Sequence, residues 1–469
     1  MKHNVFIYSI LLAAVTSSCS LDEKLYSELG DNYLSNESAK EKVLLSAYGY
    51  ANQRSNPLFY TSGMVAGETW SQYGAINSYF APLLNFTWTT AHEWWGQTWR
   101  PFYTAIRDAN IIIAKTEGSS TETDRQLGAE ARFVRGYSYA RLYDWFGGLP
   151  IYDSPDSELY QERKSAAETL AFIEADLQAA AEILPAKQST YGRATKGAAL
   201  GMLAWIYLND KQWQKAADAA KRVIDLGVYE LYPDYTELFK VANEGNKEMI
   251  WVIQANPSYG VQFQANILPT DYPHLPNQTI YASEVYLYDD LVNSFADNDR
   301  RKSLIVTSYI STVSGKEVQL LGADKSIQDK YEFDVNAIGA SFGTDIPVLR
   351  YADILLIRSE ALNEESGPNN ESLELLNKIR IRAGLEGYKT QDLSSKDAFR
   401  DAIFKERTWE FFFEQKSRTD QIRQGTFISN ARKRGIKSAQ EYHTLFPIPQ
   451  SEIDANPNLK QNDGYVINE

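Results

Sequence analysis

The stretch that decides the fold is residues 193–227, which read RATKGAALGMLAWIYLNDKQWQKAADAAKRVIDLG. Bulky and small apolar residues recur there at helical spacing in two runs: Leu203, Ala204 and Tyr207, then Trp213, Ala216 and Ala220. Small residues at a helix crossing let two antiparallel helices approach closely. The stretch therefore predicts a pair of helices packed against each other.

The bulky, small and aromatic positions of this pair match the tetratricopeptide pattern, although the turn glycine of that pattern is Lys211 here. Helical spacing recurs elsewhere and predicts helices over Leu170–Leu184, Tyr351–Glu365, Glu371–Ala383 and Lys396–Gln424. Ile305–Ser311 and Glu317–Leu321 are predicted as short strands. The sequence thus predicts a mostly α-helical fold of tetratricopeptide-like pairs with a few short strands.

Composition excludes several classes of protein. The chain has 469 residues and a net charge of −14, which disfavours nucleic acid as a partner because phosphate binding needs a basic surface. Four His and one Cys exclude a zinc finger, a disulfide scaffold and an iron–sulfur protein. The sequence contains no G-x-S-x-G, H-E-x-x-H, P-loop, G-x-G-x-x-G or calcium-loop motif. We therefore expect no catalytic residues, no metal and no cofactor.

The N-terminus has the pattern of an export signal. Residues 1–18 combine a basic start, an apolar run too short to span a bilayer and a small-residue triplet, Thr16-Ser17-Ser18. Cys19 follows directly and is predicted to be lipidated, which would make it the mature N-terminus on the membrane surface. The acidic pair Asp22-Glu23 resembles the surface-export signal of Bacteroidetes lipoproteins, and residues 19–36 are interpreted as the lipidated cysteine and a stalk.

Two stretches differ from the helical remainder because they contain no Lys or Arg. Residues 55–99 carry 11 aromatic residues in 45 positions, and residues 248–299 are rich in amides, prolines and tyrosines. Such segments are typical of irregular loops on a helical scaffold, where recognition sites are commonly found. We interpret them as a loop-rich binding face.

Several motifs together resemble the SusD/RagB family of outer-membrane nutrient-binding lipoproteins. In chain order they are Arg132–Tyr137 running into Trp145–Pro150, Gly192–Ala199, Arg350–Leu356 with Glu360–Asn363, Asn377–Leu385, Leu445–Gln450, and Asn456–Leu459 with Gln461–Tyr465. They span nearly the whole mature chain. Two positions depart from the family pattern: Asp463 replaces the usual Pro, and Gln424 replaces the usual Trp.

The resemblance implies a SusD-like α/α superhelical scaffold, with residues 37–245 as an N-terminal part and residues 246–469 as a C-terminal part of one fold. It implies a binding protein that works without catalysis and captures a glycan at the cell surface. It also implies a partner, a SusC-like TonB-dependent transporter in the outer membrane. The chain is short for the family, which points to trimmed insertions on the binding face.

The candidate glycan-binding residues come from the two stretches without Lys or Arg, residues 55–99 and 248–299, which we call the base-free stretches. An exposed aromatic ring offers a flat apolar surface for the C–H groups of a sugar, and neighbouring polar groups orient its hydroxyls. The first stretch supplies Glu68, Trp70, Tyr73, Asn77 and Tyr79, and the second supplies Tyr259, Phe263, Asn266 and Tyr272. Because neither stretch contains a basic residue, we expect a neutral glycan.

A cluster of acidic and basic residues near the C-terminus has a structural interpretation. Its members are Glu406, Arg407, Glu410, Glu414, Arg418, Asp420 and Arg423, with Glu414 and Arg418 at the favourable helix-pair spacing. We interpret the cluster as a buried ion network that fixes helix packing.

Three alternatives to glycan binding remain open at this stage. A peptide-binding lipoprotein like RagB would use the same aromatic loops and belong to a peptide importer. A glycoside hydrolase with paired carboxylates cannot be identified from spacing among 61 acidic residues. A pure tetratricopeptide scaffold would bind a protein and no small ligand.

Overall fold

The computed structural model describes residues 34–52, 56–258 and 263–466. A compact unit runs from Glu41 to Glu469. The described α-helices span Glu37–Ala51, Asn56–Ala66, Asn77–Asn85, Glu93–Thr116, Glu122–Phe146, Ala166–Ile183, Lys196–Asn209, Trp213–Asp225, Asp289–Ser294, Tyr351–Ser366, Asn370–Arg382, Lys396–Glu410, Ser417–Gln424, Phe427–Lys433 and Gln450–Ala455. None of the helices in these ranges has the length and apolar character needed to cross a bilayer.

The long helices pack on one another in chain order, which confirms the predicted helical scaffold. Glu122–Phe146 packs on Ala166–Ile183, which packs on Lys196–Asn209. Trp213–Asp225 then packs on the distant helix Tyr351–Ser366, which joins the series to its C-terminal members. An apolar core of fully buried leucine, isoleucine and phenylalanine side chains fills the space between the C-terminal helices.

The helix pair predicted from residues 193–227 is present. Lys211 stands in its turn with φ +59°, the left-handed conformation that the glycine of the repeat pattern normally adopts. Gly201 lets this pair approach the neighbouring strand, since a Cβ there would lie 2.3 Å from Leu349 Cδ2. Only a residue without a side chain fits at that distance.

Residues 226–350 leave the helical series and carry most of the strands. The strands are Thr69–Trp70, Met249–Ile253, Tyr286–Leu287, Ile305–Val306, Ser308–Ile310, Glu317–Gln319, Ile327–Gln328 and Ile346–Arg350. All pair antiparallel in twos, and Ser308–Ile310 forms a hairpin with Glu317–Gln319. Strands are present in both predicted stretches, but Ile305–Ser311 holds two short strands, Ile305–Val306 and Ser308–Ile310, which pair with different partners. These small sheets hold long connecting loops against the scaffold.

The prediction of one helix over Lys396–Gln424 is wrong. The chain forms two helices, Lys396–Glu410 and Ser417–Gln424. Between them, Phe413 and Gln415 adopt φ +58° and +63°, which no α-helix accommodates. Consequently Glu414 and Arg418 do not form a helix pair.

The predicted buried ion network is confirmed, with Arg350 at its centre. The guanidinium of Arg350 contacts Glu248 at 2.7 Å, Glu410 at 2.5 Å and Glu414 at 2.8 Å. Arg350 and its three carboxylate partners are almost fully buried. Burial alone would raise the pKa of Glu410, but the guanidinium groups of Arg382 and Arg350 hold that pKa well below its usual range. Glu410 therefore stays ionised and paired inside the fold.

Candidate functional site

The strand pair Thr69–Trp70 and Tyr286–Leu287 places two aromatic residues opposite each other. Trp70 and Tyr286 are register partners, and their ring centroids lie 5.7 Å apart. Tyr288 flanks the indole at 6.2 Å, and the indole N–H donates a hydrogen bond to the carbonyl oxygen of Asp324. Trp70 is thus half-buried and held by residues far away in the sequence.

Tyr73 extends this aromatic surface towards solvent. Its ring meets Tyr286 edge-on with centroids 6.4 Å apart, and 36% of the residue is exposed. The Lys325 Nζ donates a hydrogen bond of 3.2 Å to the Tyr73 hydroxyl and lies 5.4 Å from its ring centroid. One side of the Tyr73 ring is therefore occupied by a lysine.

A second pair of rings, Tyr272 and Tyr309, adjoins the first. Their centroids are 5.0 Å apart, and the Tyr309 hydroxyl donates to Asp271 Oδ1 at 2.6 Å. The Tyr286 hydroxyl donates to Glu284 Oε2 at 2.9 Å. Burial and then the Glu284 carboxylate raise the pKa of Tyr286, and the nearby Tyr309 adds to that shift. Both phenols therefore remain protonated hydrogen-bond donors at neutral pH.

These rings form what we call the tyrosine face, defined as Trp70, Tyr73, Tyr272, Tyr286 and Tyr309. Its members come from three separated segments, two of which are the base-free stretches of the sequence. The third is the hairpin strand Ser308–Ile310, which contains Tyr309. The arrangement exposes parts of several rings, with hydroxyl and carboxylate groups between them. Such a surface is suited to stacking against an apolar ring face while hydrogen-bonding its polar edge.

The charge on the tyrosine face differs from the sequence expectation. Lys325, from outside the two base-free stretches, lies over the rings of Tyr73 and Tyr286. Two carboxylates, Asp271 and Glu284, bond the face's own tyrosine hydroxyls. Hydrogen bonds, that from Ser311 foremost, lower the pKa of Asp271, so it is ionised at neutral pH. The face is therefore more acidic than basic despite the lysine.

Glu68 and Asn266, predicted to contact a ligand, instead point into the protein. Glu68 accepts hydrogen bonds from the Phe413 backbone N–H at 2.8 Å and from the Ser417 hydroxyl. Asn266 accepts a 3.0 Å hydrogen bond from the Ser283 hydroxyl. Both are at least nine-tenths buried, so the expectation that they orient ligand hydroxyls is corrected: they fix the segments that carry the face.

Asn77 and Tyr79 lie in the helix Asn77–Asn85, not in the loop that the sequence suggested. Tyr79 stacks on Trp94 with centroids 5.6 Å apart and planes 10° apart, and its hydroxyl donates to Glu93 at 2.8 Å. Tyr79 therefore belongs to a different aromatic cluster from the tyrosine face. A role for Asn77 or Tyr79 in binding stays a prediction.

Tyr259 lies outside the described residues, and the side chain of Phe263 is likewise not described. Tyr286 and Tyr309, in contrast, are central to the face but were absent from the sequence-based site. Tyr286 lies within a base-free stretch, and Tyr309 lies in a predicted strand. The sequence signal for these two residues was their position in or beside strands. Residue spacing alone does not show that those strands lie next to the aromatic segments.

A larger groove, of about 790 Å³, lies elsewhere, between the helix Glu93–Thr116 and the segment around Tyr152. Its polar groups are engaged within the protein. Arg100 pairs with Glu452 at 2.9 Å, and the Tyr103 hydroxyl donates to the Pro150 carbonyl at 3.0 Å. The charged and phenolic groups of Arg100 and Tyr103 are thus engaged within the protein.

Comparison with known proteins decides the family. A family model described as "SusD family" matches residues 226–465, more than half of the chain. The chain belongs to the SusD family. A second model, described as "Starch-binding associating with outer membrane", matches residues 21–208. The two matches divide the SusD fold between its N-terminal helices and the part that contains Tyr272, Tyr286 and Tyr309.

Named SusD relatives are similar over most of their length. SusD-like protein P25 of Formosa agariphila is 27% identical over 418 residues, 78% of each chain. Starch-binding protein SusD of Bacteroides thetaiotaomicron is 26% identical over 435 residues, 77% of this chain and 76% of that one. A solved laminarin-binding SusD-like protein superposes with a TM-score of 0.78 at 22% identity, covering 92% of this chain and all of the other.

Two of these proteins, starch-binding protein SusD and the laminarin-binding SusD-like protein, are binding proteins by name, and the SusD fold of this chain is mostly helical as predicted. Within the described residues, no group of three or more His, Cys, Asp or Glu side chains has an arrangement suited to a metal ion. The chemistry that the tyrosine face does supply is aromatic stacking and hydrogen bonding. The family and the geometry therefore both point to binding.

Proposed function

We propose that this protein captures an uncharged oligosaccharide or polysaccharide on the tyrosine face. The observation that carries the proposal is the meeting of five aromatic rings from three separated segments, four of which are partly exposed, while Tyr286 is buried and packs against Trp70 and Tyr73. Stacking between rings and sugar C–H groups gives affinity without complete enclosure. A ligand held in this way dissociates readily, which suits a protein that must pass it on.

The hydroxyl groups and carboxylates of the face supply orientation. Tyr286 and Tyr309 engage Glu284 and Asp271, whose remaining oxygen lone pairs are suited to accept hydrogen bonds from sugar hydroxyls. The same carboxylates repel uronic-acid and sulfate groups, whereas the nearby Lys325 is engaged with two rings. A neutral glycan is therefore the favoured ligand. Starch and laminarin, which the names of two similar proteins mention, are uncharged glucans.

The wider setting of the proposal follows the family. Residues 1–18 would direct export, and lipid on Cys19 would hold the protein at the outer surface of the outer membrane. Residues 19–36 would act as a stalk. The parts 37–245 and 246–469 would form one lid over a SusC-like TonB-dependent transporter, which would receive the captured glycan.

Affinity electrophoresis tests the proposal directly. The chain from Ser20 onward runs through native gels that contain starch, laminarin, xylan or galactomannan, with alginate and a sulfated polymer as anionic counterparts. We expect retardation by at least one neutral polymer. We expect Tyr309→Ala to reduce that retardation about threefold to tenfold, since it removes one stacking ring.

The matched control is Tyr50→Ala, which removes an exposed tyrosine of the helix Glu37–Ala51. It should migrate like the unaltered protein on every gel. Retardation by the anionic polymers alone would overturn the neutral preference. No retardation on any gel, together with binding of short neutral peptides, would favour the peptide-binding alternative.

A further inference from the structure

A pocket of about 410 Å³ opens beside Tyr272, at the edge of the tyrosine face. Tyr272 forms part of its wall, so the pocket and the face share one ring. Gln328 and Tyr331 also line it and are 97–99% buried, since their exposed fractions are 3% and 1%. These two buried residues form the deepest part of its lining, so a ligand group that enters from solvent meets them last.

Gln328 carries an unsatisfied hydrogen-bond donor in this pocket. Its Oε1 accepts a 3.0 Å hydrogen bond from the Lys330 backbone N–H, which fixes the orientation of the amide. Its Nε2 is buried and has no hydrogen-bond partner in the part of the chain that the structure describes. A buried donor without a partner destabilises the protein, and a ligand oxygen would remove that cost.

Asp329 supplies the complementary acceptor. Its carboxylate lines the same pocket and has no ion pair or side-chain hydrogen bond within the described residues. Solvent reaches the residue, yet the surrounding protein raises the pKa of its carboxyl, because a concave wall limits its hydration. Its charge also acts on the hydroxyl of Tyr272, which places the two groups close together.

An amide donor, a carboxylate acceptor and an aromatic wall match a sugar residue better than a charged group. A sugar hydroxyl both donates and accepts, so two hydroxyls satisfy Asp329 and Gln328 together. An ammonium group only donates and would leave the Gln328 Nε2 unsatisfied. A uronate or sulfate would be repelled by the Asp329 carboxylate.

We propose that this pocket is a subsite for one uncharged sugar residue at an end or branch of the glycan. The inference rests on the proposed function, since the glycan reaches the pocket from the tyrosine face through Tyr272. The face binds sugar residues along the polymer, and the pocket binds a sugar residue at which the chain ends or branches.

Isothermal titration with a short oligosaccharide tests the subsite. The probe is maltohexaose if the gels retain starch, laminarihexaose if they retain laminarin, and the corresponding short oligomer for xylan or galactomannan. We expect Gln328→Met to weaken oligosaccharide binding about tenfold, because one buried hydrogen bond to the ligand is lost. Retention of the intact polymer on gels should change less than about twofold, since most of its length contacts the face.

Asp329→Asn is the second variant, and it carries the test if Gln328→Met fails to fold. It should also weaken oligosaccharide binding severalfold, because a charged acceptor is replaced by a neutral one. The matched control is Gln319→Met, the same change at an exposed position of the hairpin, and it should bind like the unaltered protein.

The outcomes separate the two proposals. If Tyr309→Ala weakens oligosaccharide binding while Gln328→Met and Asp329→Asn do not, the subsite is wrong and the tyrosine face stands. If the unaltered protein binds no neutral polymer or oligosaccharide, the proposed function fails and the subsite with it. If neutral tripeptides bind instead, and Gln328→Met abolishes that binding, the pocket takes a peptide terminus.

Discussion

The ion network around Arg350 and the tyrosine face differ in how completely their polar side chains are buried and hydrogen-bonded. In the network, Arg350 and Glu410 are almost completely removed from water, and each charge is matched by partners at hydrogen-bond distance. On the face, Tyr73 and Tyr309 keep part of their surface in water, and several acceptors are only partly used. A region whose charges and hydrogen-bonding groups are all paired within the protein stabilises one conformation. A region with partly used acceptors can still form hydrogen bonds to a ligand.

Burial also makes the two regions respond differently to substitution. Removing one partner of a buried ion network leaves another charge without compensation, which is strongly destabilising. Removing a half-exposed ring takes away a contact surface but leaves no charge unpaired. Stability and affinity should therefore be separable by mutation in this protein.

The largest expected effect is on stability, from Arg350→Met. The substitution leaves Glu248, Glu410 and Glu414 without their shared guanidinium, and we expect the free energy of unfolding to fall by about 3–5 kcal/mol. Urea unfolding followed by circular dichroism measures it. Arg222→Met removes an exposed ion pair with Glu182 and should change stability by less than about 1 kcal/mol. Equal losses for the two variants would show that the network does not hold the fold.

Tyr73→Ala should produce the next largest effect, and on affinity only. Loss of the most exposed ring of the face is expected to weaken glycan binding about threefold to tenfold. The unfolding midpoint should stay within a few degrees of the unaltered protein. Titration and thermal unfolding of the same sample distinguish the two quantities. A large drop in the unfolding temperature without a change in affinity would reverse the assignment.

A carboxyl pair outside the network offers a test by pH. Glu244 accepts a hydrogen bond from the Asp345 backbone, and burial, followed by the Asp345 charge, raises the pKa of Glu244 to about 7. The folded state then holds a proton that the unfolded state releases, so this contribution to stability declines as the pH rises from about 4.5 to about 7.

Glu244→Gln removes that titration. The unfolding temperature of the variant should vary less over this pH range than that of the unaltered protein, by a few degrees. Thermal unfolding at several pH values measures it. Parallel pH profiles for the two proteins would mean that Glu244 ionises normally in the fold.

The smallest expected effect comes from Lys325→Met. Removing the ammonium group that lies against the rings of Tyr73 and Tyr286 should change affinity for a neutral glycan less than about twofold. Residual retention by a sulfated polymer should fall, because the face becomes more acidic. Lys316→Met, at an exposed hairpin position, is the control. A large loss of neutral binding would make Lys325 a direct ligand contact.

The sequence predicted the network better than the face, for a physical reason. Glu406, Glu410 and Asp420 lie on amphipathic helices whose spacing indicates which side is buried. The helix break at Phe413 was missed, because the left-handed residues there are not glycine and leave no signal in the sequence.

The face depends on distant contacts that spacing cannot give. Trp70, Tyr73 and Tyr272 were identified from aromatic, base-free segments, but their proximity arises from strand pairing with Tyr286 and from the hairpin of Tyr309. Glu68 and Asn266 share that composition yet turn inward, since their hydrogen-bond partners lie on other segments.

The separation of the tyrosine face into three chain segments also bears on how such proteins diverge. The segments that carry Tyr272 and Tyr309 can lengthen, shorten or exchange residues while the buried ion pairs of Arg350 continue to hold the helical scaffold. A protein of this fold can therefore acquire a new binding specificity through changes in its surface loops, and each evolutionary intermediate remains folded. The loss of stability that accompanies a new recognition surface is then confined to the residues of that surface.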